Sequence, residues 1–423
     1  MTPGLAELTR TFLKIGCLSF GGPAAQIALM HRVLVDEKRW ITDREYVSAL
    51  SFCMLLPGPE AMQLATWAGW RVYGTLGGVI AGLLFVLPGA AVVLALSAVY
   101  AAFGQVPLMA ALFLGIQAAV IALVIEALIR ISKKALQSRG GRIIALLGFL
   151  ALFALNLPFP LVILAAGLWG FFQARGNPAA GGPLPASTAT EAQGPAQPLR
   201  VLLLWGAIWL LPLALLAFFD GGFLFQLGWF FSKLAVVTFG GAYAVLAWMT
   251  QEVVQVRGWL STAQMMAGLG LAETTPGPLI LVTEFVGFTA GFAAGSWGLA
   301  FCAALVALWM TFAPCFLWIF LGAPYLARIT ANPRLAGALS AIMAAVVGVI
   351  ANLSLWFALH FLFATVGTSG FGPFTLVLPD PGSVKPLAVG LALFSGGLLL
   401  VFHQPLWRVL ALSAAASALL SGL

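Results

Sequence analysis

Two stretches of the chain, residues 14–59 and residues 233–278, match each other without a gap at a constant offset of 219 positions. Each contains a lysine, a Phe-Gly-Gly triplet, a tryptophan and a Pro-Gly-Pro triplet in the same order. Composition alone does not hold helix breakers and a charged residue in one register over such a length. The chain is therefore a duplicated unit whose copies carry helix breakers inside apolar segments. In a membrane protein, this combination is the best sequence indication of a substrate site between two repeats.

The composition decides the class of protein. Of the 423 residues, 62% are hydrophobic and 8% are charged, whereas soluble domains carry about 25% charged residues. Apolar runs long enough to cross a bilayer recur from end to end. The net charge of +7 comes from basic residues in short loops beside these runs, which is typical of cytoplasmic loops and not of nucleic acid binding. We therefore predict a polytopic membrane protein with no nucleic acid partner.

Metal and redox chemistry have no sequence support. The four cysteines lie in apolar stretches without C-x-x-C spacing, and the three histidines are scattered without an H-E-x-x-H motif. These patterns are typical of small core residues rather than of metal ligands or disulfides. We expect no metal, no cofactor and no catalytic residues.

The order of apolar spans predicts how the two copies are oriented. Six spans are expected in a first repeat at 1–174, followed by a flexible cytoplasmic linker at 175–200. One extra span at 201–219 then leads into six spans of a second repeat at 220–423. An even count returns the chain to its starting side, and the extra span moves the second copy to the other side. The prediction is an all-α protein of about 13 transmembrane helices, with two inverted repeats and broken helices at their interface.

The distribution of positive charge predicts the orientation in the membrane. With the N-terminus in the cytoplasm and the C-terminus outside, thirteen Lys and Arg residues fall on the cytoplasmic side and five on the other, as the positive-inside bias requires. The basic loop at 32–45 falls on the outside, so the first hairpin of each repeat is either fully spanning or re-entrant.

The glycine pairs are candidate substrate-binding residues. Gly21-Gly22 precedes Pro23 within an apolar segment, and Gly240-Gly241 occupies the equivalent position. Glycine weakens a helix interior and proline removes a backbone donor, so we expect a break there. A half-helix that begins at Pro23 would direct its positive dipole end and unpaired N–H groups at the break, which is a ready anion site. Ser19 and Thr238 would add hydroxyl donors; close helix packing through small residues is the alternative.

Lys14 and Lys233 are repeat-equivalent basic residues within predicted spans. An intramembrane cation is costly and is by default a candidate functional residue. Two such cations near helix N-termini would favour a compact anion, especially a dianion. The alternative is that both side chains extend to the membrane interface.

The Pro-Gly-Pro triplets, Pro57-Gly58-Pro59 and Pro276-Gly277-Pro278, break the second span of each copy in the same way. Two prolines around a glycine end a regular helix, so both sites must hold irregular backbone that faces protein or a cavity. We include all six residues among the candidate substrate-binding residues.

Carboxylates beside the triplets differ between the copies. Glu60 is opposite Leu279, and Glu273 is opposite Met54, while Glu284 lies nearby. Because burial disfavours the charged form of a carboxyl, unequal carboxylates at matched breaks suit proton handling. The alternative for Glu60 is simple capping of the half-helix that follows Pro59.

The paired motifs resemble those of the chromate ion transporter family. They read Phe20-Gly21-Gly22-Pro23, Trp40 and Pro57-Gly58-Pro59, and again Phe239-Gly240-Gly241, Trp259 and Pro276-Gly277-Pro278. The resemblance covers nearly the whole chain except the linker, and the chain departs from it at Ala242, which stands where the first repeat has Pro23. It implies export of chromate from the bacterial cytoplasm, conferring resistance, with the proton gradient as the driving force.

The expected function is therefore that of a secondary transporter of a tetrahedral oxyanion, acting as a proton-coupled antiporter in the bacterial cytoplasmic membrane. Its expected partners are chromate and the related dianion sulfate, protons and the lipid bilayer, and a homodimer is left open. The alternatives are uptake of sulfate or another oxyanion, a channel, and a membrane-embedded enzyme, which lacks a catalytic constellation.

Overall fold

The computed structural model describes residues 3–174, 198–219, 221–239, 242–371 and 374–422. Within these ranges, five helices are long and apolar enough to cross a membrane, and five further apolar helices have 10–17 residues. The five long helices are Glu60–Phe103, Pro107–Ala135, Pro198–Phe219, Trp297–Thr330 and Pro333–Leu362. The predicted mainly helical membrane protein is confirmed at this level.

The elements follow one another in an order that repeats after a single intervening helix. The first half contains α1 (Leu5–Leu18), α2 (Gly22–His31), α3 (Asp43–Leu55), α4 (Glu60–Phe103), α5 (Pro107–Ala135), α6 (Arg139–Phe153) and α7 (Phe159–Gln173). Helix α8 (Pro198–Phe219) stands between the halves, and residues 175–197 of the predicted linker lie outside the described ranges. The second half contains α9 (Phe223–Val237), α10 (Ala242–Thr250), α11 (Thr262–Thr274), α12 (Val282–Ala294), α13 (Trp297–Gly322), α14 (Leu326–Thr330), α15 (Pro333–Leu362), β1 (Val366–Phe371), β2 (Phe374–Pro379), α16 (Pro386–Gly396) and α17 (Leu406–Leu420).

Residues that are 219 positions apart also have the same local structure in the two repeats. A π-helical turn extends α2 over Arg32–Glu37, and another extends α10 over Gln251–Val256. Helices α1 and α9 end at equivalent residues, and so do α3 and α11. Positive φ also recurs between equivalent positions, at Arg39 (53°) and Gly258 (61°). The local conformation of the two copies is therefore set by the residues that they share.

Helix α4 turns back on itself. Tyr73 (φ −137°, ψ 24°) and Gly74 (φ 66°, ψ −161°) have non-helical backbone angles inside it. A Cβ added to Gly69 would lie 2.3 Å from the carbonyl oxygen of Gly77, so the two legs are in backbone contact. Small residues permit this close approach of helices in membranes. In the second half, the equivalent turn separates α12 from α13.

Two further breaks occur at residues in the left-handed conformation. Asn156 (φ 48°) separates α6 from α7, and His403 (φ 49°) separates the π-helical end of α16 from α17. Each is followed closely by a proline, which cannot donate a backbone hydrogen bond. The chain therefore forms two short helices at each place instead of one long helix.

The prediction of an entirely helical chain is wrong at residues 366–379. Strands β1 and β2 form an antiparallel hairpin in which Val366 is opposite Pro379 and Phe371 is opposite Phe374. Val, Thr and Phe recur in this stretch and favour extended backbone. The stretch follows α15 and has no helical periodicity, so the hairpin needs only local pairing.

The chain divides into two compact units, and each takes segments from both repeats. The first unit contains Met1–Ala98, Ala174–Ala242 and Thr275–Ala336, and large buried aromatic side chains such as Phe85 and Phe285 fill its interior. The second unit contains Val99–Gln173, Tyr243–Thr274 and Gly337–Leu423, with α5 packed against α16 and α17. The boundaries predicted at 174 and 220 describe the duplication in sequence, and as domain boundaries they stay a prediction.

Candidate functional site

Two equivalent backbone hydrogen bonds join the repeats inside the first unit. The N–H of Gly58 donates to the carbonyl of Thr238, and the N–H of Gly277 donates to the carbonyl of Ser19, both at 2.8 Å. Gly58 and Gly277 are repeat-equivalent, and so are Ser19 and Thr238. The same bond is therefore made twice, each time from a Pro-Gly-Pro turn of one repeat to a helix end of the other.

The helix ends that accept these bonds are built in the same way. Ser19 and Thr238 are the residues that follow α1 and α9, and both are buried. The hydroxyl of Ser19 donates to the carbonyl of Ile15 at 2.6 Å, and the hydroxyl of Thr238 donates to the carbonyl of Leu234. The sequence predicts that these hydroxyls donate to an anion, but in this geometry their hydrogens are used within their own helices. Their main-chain carbonyls make the contact between repeats instead.

The glycine pair of the first repeat breaks the helix as predicted. Gly21 (φ 86°) and Gly22 (φ 75°) have left-handed backbone, and α2 begins at Gly22 with Pro23 in its second position. A Cβ on Gly22 would meet nothing within 4 Å, so glycine is required there for its conformation and not for space. The first N–H groups of α2 have no partner within the helix and lie at its positive end. The counterparts Gly240 and Gly241 lie outside the described residues.

Each Pro-Gly-Pro turn packs against a proline-containing helix of the other repeat. A Cβ on Gly58 (φ 117°) would lie 3.0 Å from Sγ of Cys315 in α13. A Cβ on Gly277 (φ 90°) would lie 3.6 Å from Cα of Gly89 in α4. Gly89 follows Pro88 and Cys315 follows Pro314, so this contact is also made twice. The two Pro-Gly-Pro turns, Pro57-Gly58-Pro59 and Pro276-Gly277-Pro278, therefore make equivalent contacts within the first unit. We call these six residues, together with Ser19, Gly21, Gly22 and Thr238, the crossover site.

The predicted carboxylates are divided between the two units. Glu60 begins α4, immediately after Pro59, and is half-buried in the first unit. Glu284 lies in α12 of the same unit with 1% exposure, and its Oε2 has no hydrogen-bond partner in the part of the chain that the structure describes. Glu273 belongs to the second unit.

Glu273 forms a polar cluster that sequence reasoning missed. The hydroxyl of Tyr243 donates to Oε1 of Glu273 at 2.5 Å, and both residues are buried. Arg130 and Glu126 on α5 are within electrostatic range of this pair. The equivalents of Tyr243 and Glu273 in the first repeat are alanine and methionine. The sequence does carry a signal for this pair, because the other copy has neither the tyrosine nor the glutamate.

The predicted lysines lie on the helices that lead to the crossover site. Lys14 on α1 is exposed, whereas Lys233 on α9 is half-buried. Nζ of Lys233 lies 5.8 Å from the centre of the Trp229 ring. Neither lysine forms an ion pair with any described residue. Their positive charges are therefore not neutralised by a neighbouring carboxylate of that part of the chain.

Comparison with known proteins decides the family. The profile of the family described as chromate transporter matches residues 6–171 and 225–418, which are both halves of the chain. The chain belongs to this family. A chromate transport protein from Pseudomonas aeruginosa is 33% identical over 404 residues, covering 94% of this chain and 86% of its own length. A chromate transport protein from Cupriavidus metallidurans is 31% identical over 359 residues, covering 82% and 80%. No solved structure matches the chain.

The predicted membership of the chromate transporter family is thus confirmed, and the chain is a membrane-embedded transport protein rather than an enzyme. Within the described ranges, no group of three or more His, Cys, Asp or Glu side chains is placed to hold a metal ion.

Two glutamines complete the crossover site of this family member. Nε2 of Gln26 donates to the carbonyl of Gly277 at 2.7 Å, and Nε2 of Gln63 donates to the carbonyl of Pro57 at 2.6 Å. Both side chains are buried, and neither Oε1 has a partner among the described residues. Their repeat equivalents are Val245 and Val282. A glutamine inside an apolar segment, opposite a valine in the other copy, is the signal that would have identified Gln26.

Proposed function

We propose that the chain is a secondary transporter that exports chromate across the bacterial cytoplasmic membrane in exchange for protons. The observation that carries this proposal is the pair of equivalent hydrogen bonds at the crossover site. They hold irregular backbone from both repeats together within one compact unit. Irregular backbone at membrane depth is tolerated only where protein or a cavity satisfies it. In transporters it is where substrates bind.

The proposed chromate site uses main-chain N–H groups and a positive field. The unpaired N–H groups at the start of α2 and the left-handed Gly21-Gly22 backbone offer donors to an oxyanion. Open space lies around Gly22, where a Cβ would meet nothing within 4 Å. Lys14 and Lys233 add charge from α1 and α9. These donors would be held in place by the Pro-Gly-Pro turns, Ser19 and Thr238. In this proposal the turns and the two hydroxyl residues position the site and do not contact the anion.

We also propose that the two repeats are inverted and that the chain crosses the membrane about 13 times. The bond from Gly58 to Thr238 and the bond from Gly277 to Ser19 join equivalent residues of the two repeats in opposite directions. A two-fold axis between the repeats has this effect. The proposed N-terminus is cytoplasmic and the proposed C-terminus is outside, with the lipid bilayer around the apolar helices.

Proton coupling is proposed for the carboxylates that break the repeat symmetry. The other copy has no carboxylate at the positions equivalent to Glu60, Glu273 and Glu284. Glu273 is bonded to Tyr243. The buried Oε2 of Glu284 has no partner among described residues, so a bound proton would remove a negative charge that is costly to bury. Residues that both repeats share would then bind the anion, and carboxylates that only one repeat has would carry the proton.

Sulfate is the second candidate substrate. Main-chain N–H donors and lysine charges recognise a tetrahedral dianion by shape and charge, and chromate and sulfate share both. The same site would serve uptake of sulfate or passive flow through a channel, because direction depends on gradients and coupling.

Flux of chromate into vesicles that contain the purified protein tests the proposal, with and without an imposed pH gradient. We expect flux that sulfate reduces and that a pH gradient accelerates. Gly22→Ala should abolish it, because alanine disfavours the left-handed backbone at that position. Gly206→Ala is the matched control, since Gly206 lies in α8 and a Cβ there also meets nothing within 4 Å. Flux that ignores the pH gradient would exclude proton coupling, and absence of flux would exclude chromate transport.

A further inference from the structure

A cavity of about 290 Å³ lies within the second unit, and its lining includes none of the residues to which a role is assigned above. Its walls come from four places in that unit. They are the break between α6 and α7, the π-helical end of α10, the second half of α15, and the β1–β2 hairpin. The volume exceeds what a single water needs by more than tenfold. The cavity therefore has room for a small ligand together with several waters.

The polar part of the lining is neutral and rich in amides. None of the residues that line the cavity is Asp, Glu, Lys or Arg. The polar side chains that matter here come from three separate elements: Asn156, Thr250, Gln251, Gln255, Asn352 and His360. Apolar and aromatic residues, including Trp248 and Trp356, make up much of the remaining wall. A mostly apolar cavity with a few convergent polar groups is the usual form of a small-molecule site.

The amides stand where the other repeat carries charges. Gln251 and Gln255 are equivalent to Arg32 and Asp36 in the 219-residue register, and Asn352 is aligned with Glu126 at an offset of 226. In the first repeat, Asp36 lies 3.6 Å from Nδ1 of His31. Neutral amides thus replace both the cation and the two carboxylates. The second repeat keeps hydrogen-bonding capacity at these positions, and it loses two carboxylates, which would repel an anion, together with one arginine, which would attract it.

Two further polar groups at the cavity, a hydroxyl and an imidazole, can form additional hydrogen bonds. The hydroxyl of Thr250 is buried and has no hydrogen-bond partner among the described residues. The imidazole of His360 donates from Nδ1 to the carbonyl of Trp356 at 2.9 Å and lies against that indole, with ring centres 4.2 Å apart. Because Nδ1 carries the proton, Nε2 of the neutral ring is left to accept a hydrogen bond, for example from a water molecule in the cavity. The positive charge of Lys385 is within electrostatic range of this imidazole.

We propose that this cavity is a second oxyanion site, in which a partly hydrated tetrahedral oxyanion binds to the amide N–H groups of Gln251, Gln255 and Asn352. The proposal rests on the proposed function for the identity of the anion. Neutral donors bind an anion by hydrogen bonds that are stronger at partly buried positions than in bulk water. Gln251 and Asn352 are half-buried, and Gln255 is exposed. They also hold it weakly enough for release, which a transport pathway requires at each of its sites. Lys385 is exposed and lies outside the cavity lining, and its positive charge is within electrostatic range of His360 at the cavity wall.

Titration calorimetry of the purified full-length protein with chromate tests the proposal. The wild-type protein should bind two chromate ions per chain. Asn352→Asp keeps the size of the side chain and adds a negative charge, so it should weaken one of the two sites at least about tenfold. Gln173→Glu makes the same chemical change at an exposed residue outside the cavity lining and should leave both sites intact.

A second variant guards against a failure of Asn352→Asp to fold. Gln251→Leu removes an amide donor without adding charge and should weaken the same site about tenfold. Wild-type binding of one chromate per chain, with chromate flux intact, would overturn the second site and leave the proposed function standing. Two sites that are unchanged in both variants would also overturn it. Absence of both chromate binding and flux would instead overturn the proposed function.

Discussion

Gly277 donates its backbone N–H to the carbonyl of Ser19 at 2.8 Å, and Gly58 makes the same bond to Thr238. Both glycines have positive φ, of 90° and 117°. Each bond pairs a carbonyl at the end of a helix, and the carbonyl of Ser19 also accepts a longer bond, of 3.5 Å, from Nε2 of Gln26. A buried carbonyl without a partner costs several kcal/mol in an apolar environment. The crossover site is therefore a structural joint between the repeats as well as the proposed place of binding.

Alanine at either glycine should destabilise the protein to a similar extent. The left-handed backbone alone costs about 1–3 kcal/mol for a residue with a Cβ. At Gly58, the added Cβ would also lie 2.8 Å from Nε2 of Gln63. We expect Gly58→Ala and Gly277→Ala each to lower the midpoint of thermal unfolding in detergent and to reduce chromate flux. Gly206→Ala should change neither, and a harmless substitution at one of the two turns would contradict their equivalence.

Gln26 should be a positioning residue of the crossover site. Its Nε2 donates to the carbonyl of Gly277, and loss of one such bond costs about 1 kcal/mol. Gln26→Val installs the residue found at the equivalent position of the second repeat, and we expect flux to fall several-fold at low chromate. Gln173→Val is the control, since Gln173 is exposed at the end of α7. Unchanged flux in Gln26→Val would show that the Gly277 turn holds its position without the amide.

The local breaks were predictable from the sequence because glycine and proline act on the backbone where they stand. The end of α1, the break at Gly21-Gly22 and both Pro-Gly-Pro turns need no knowledge of distant residues. The pairing of Gly58 with Thr238 and the bond from Gln26 to Gly277, across 251 positions, depend on how the helices pack. Periodicity says nothing about that packing, so the amides were missed while the turns were found.

The carboxylates illustrate the same limit. The sequence marks Glu60, Glu273 and Glu284 as unsymmetric, but it does not place them in two different compact units. Tyr243 was missed as the partner of Glu273 because an apolar helix with one tyrosine is usual in a membrane protein, and only the comparison with Ala24 in the other copy marks it. The β1–β2 hairpin was missed because its strands are short and follow an apolar helix directly.

Glu273 is expected to couple transport to protons through its bond with Tyr243. Glu273→Gln keeps the size of the side chain and removes its ability to exchange a proton. We expect this variant to transport chromate at a rate that no longer responds to an imposed pH gradient. Tyr243→Phe removes only the hydrogen bond at 2.5 Å and should give an intermediate response. Glu37→Gln alters an exposed carboxylate near Arg32 and should keep the full response; a full response in Glu273→Gln would exclude this residue from coupling.

Lys14 and Lys233 should raise the affinity for the anion without being required for insertion. An unpaired cation a few ångströms from a dianion contributes on the order of 1 kcal/mol where water is near and more where it is excluded. We expect Lys14→Ala and Lys233→Ala to raise the chromate concentration for half-maximal flux about fivefold or more, and arginine to restore it. Lys133→Ala, at the end of α5, is the control. Normal affinity in both alanine variants would mean that the lysines only extend to the membrane interface.

Inversion of the repeats predicts that the turn inside α4 and the turn between α12 and α13 lie on opposite sides of the membrane. Thr75 and Ala294 are exposed residues at these turns, and each can be replaced by cysteine after the four native cysteines are removed. We expect a membrane-impermeant maleimide, added to intact cells, to label only Ala294→Cys or only Thr75→Cys. The other should react only after the membrane is permeabilised. With a cytoplasmic N-terminus and fully spanning first hairpins, Thr75→Cys is the protected one. Labelling of both from the same side would exclude inverted repeats, whatever the absolute orientation.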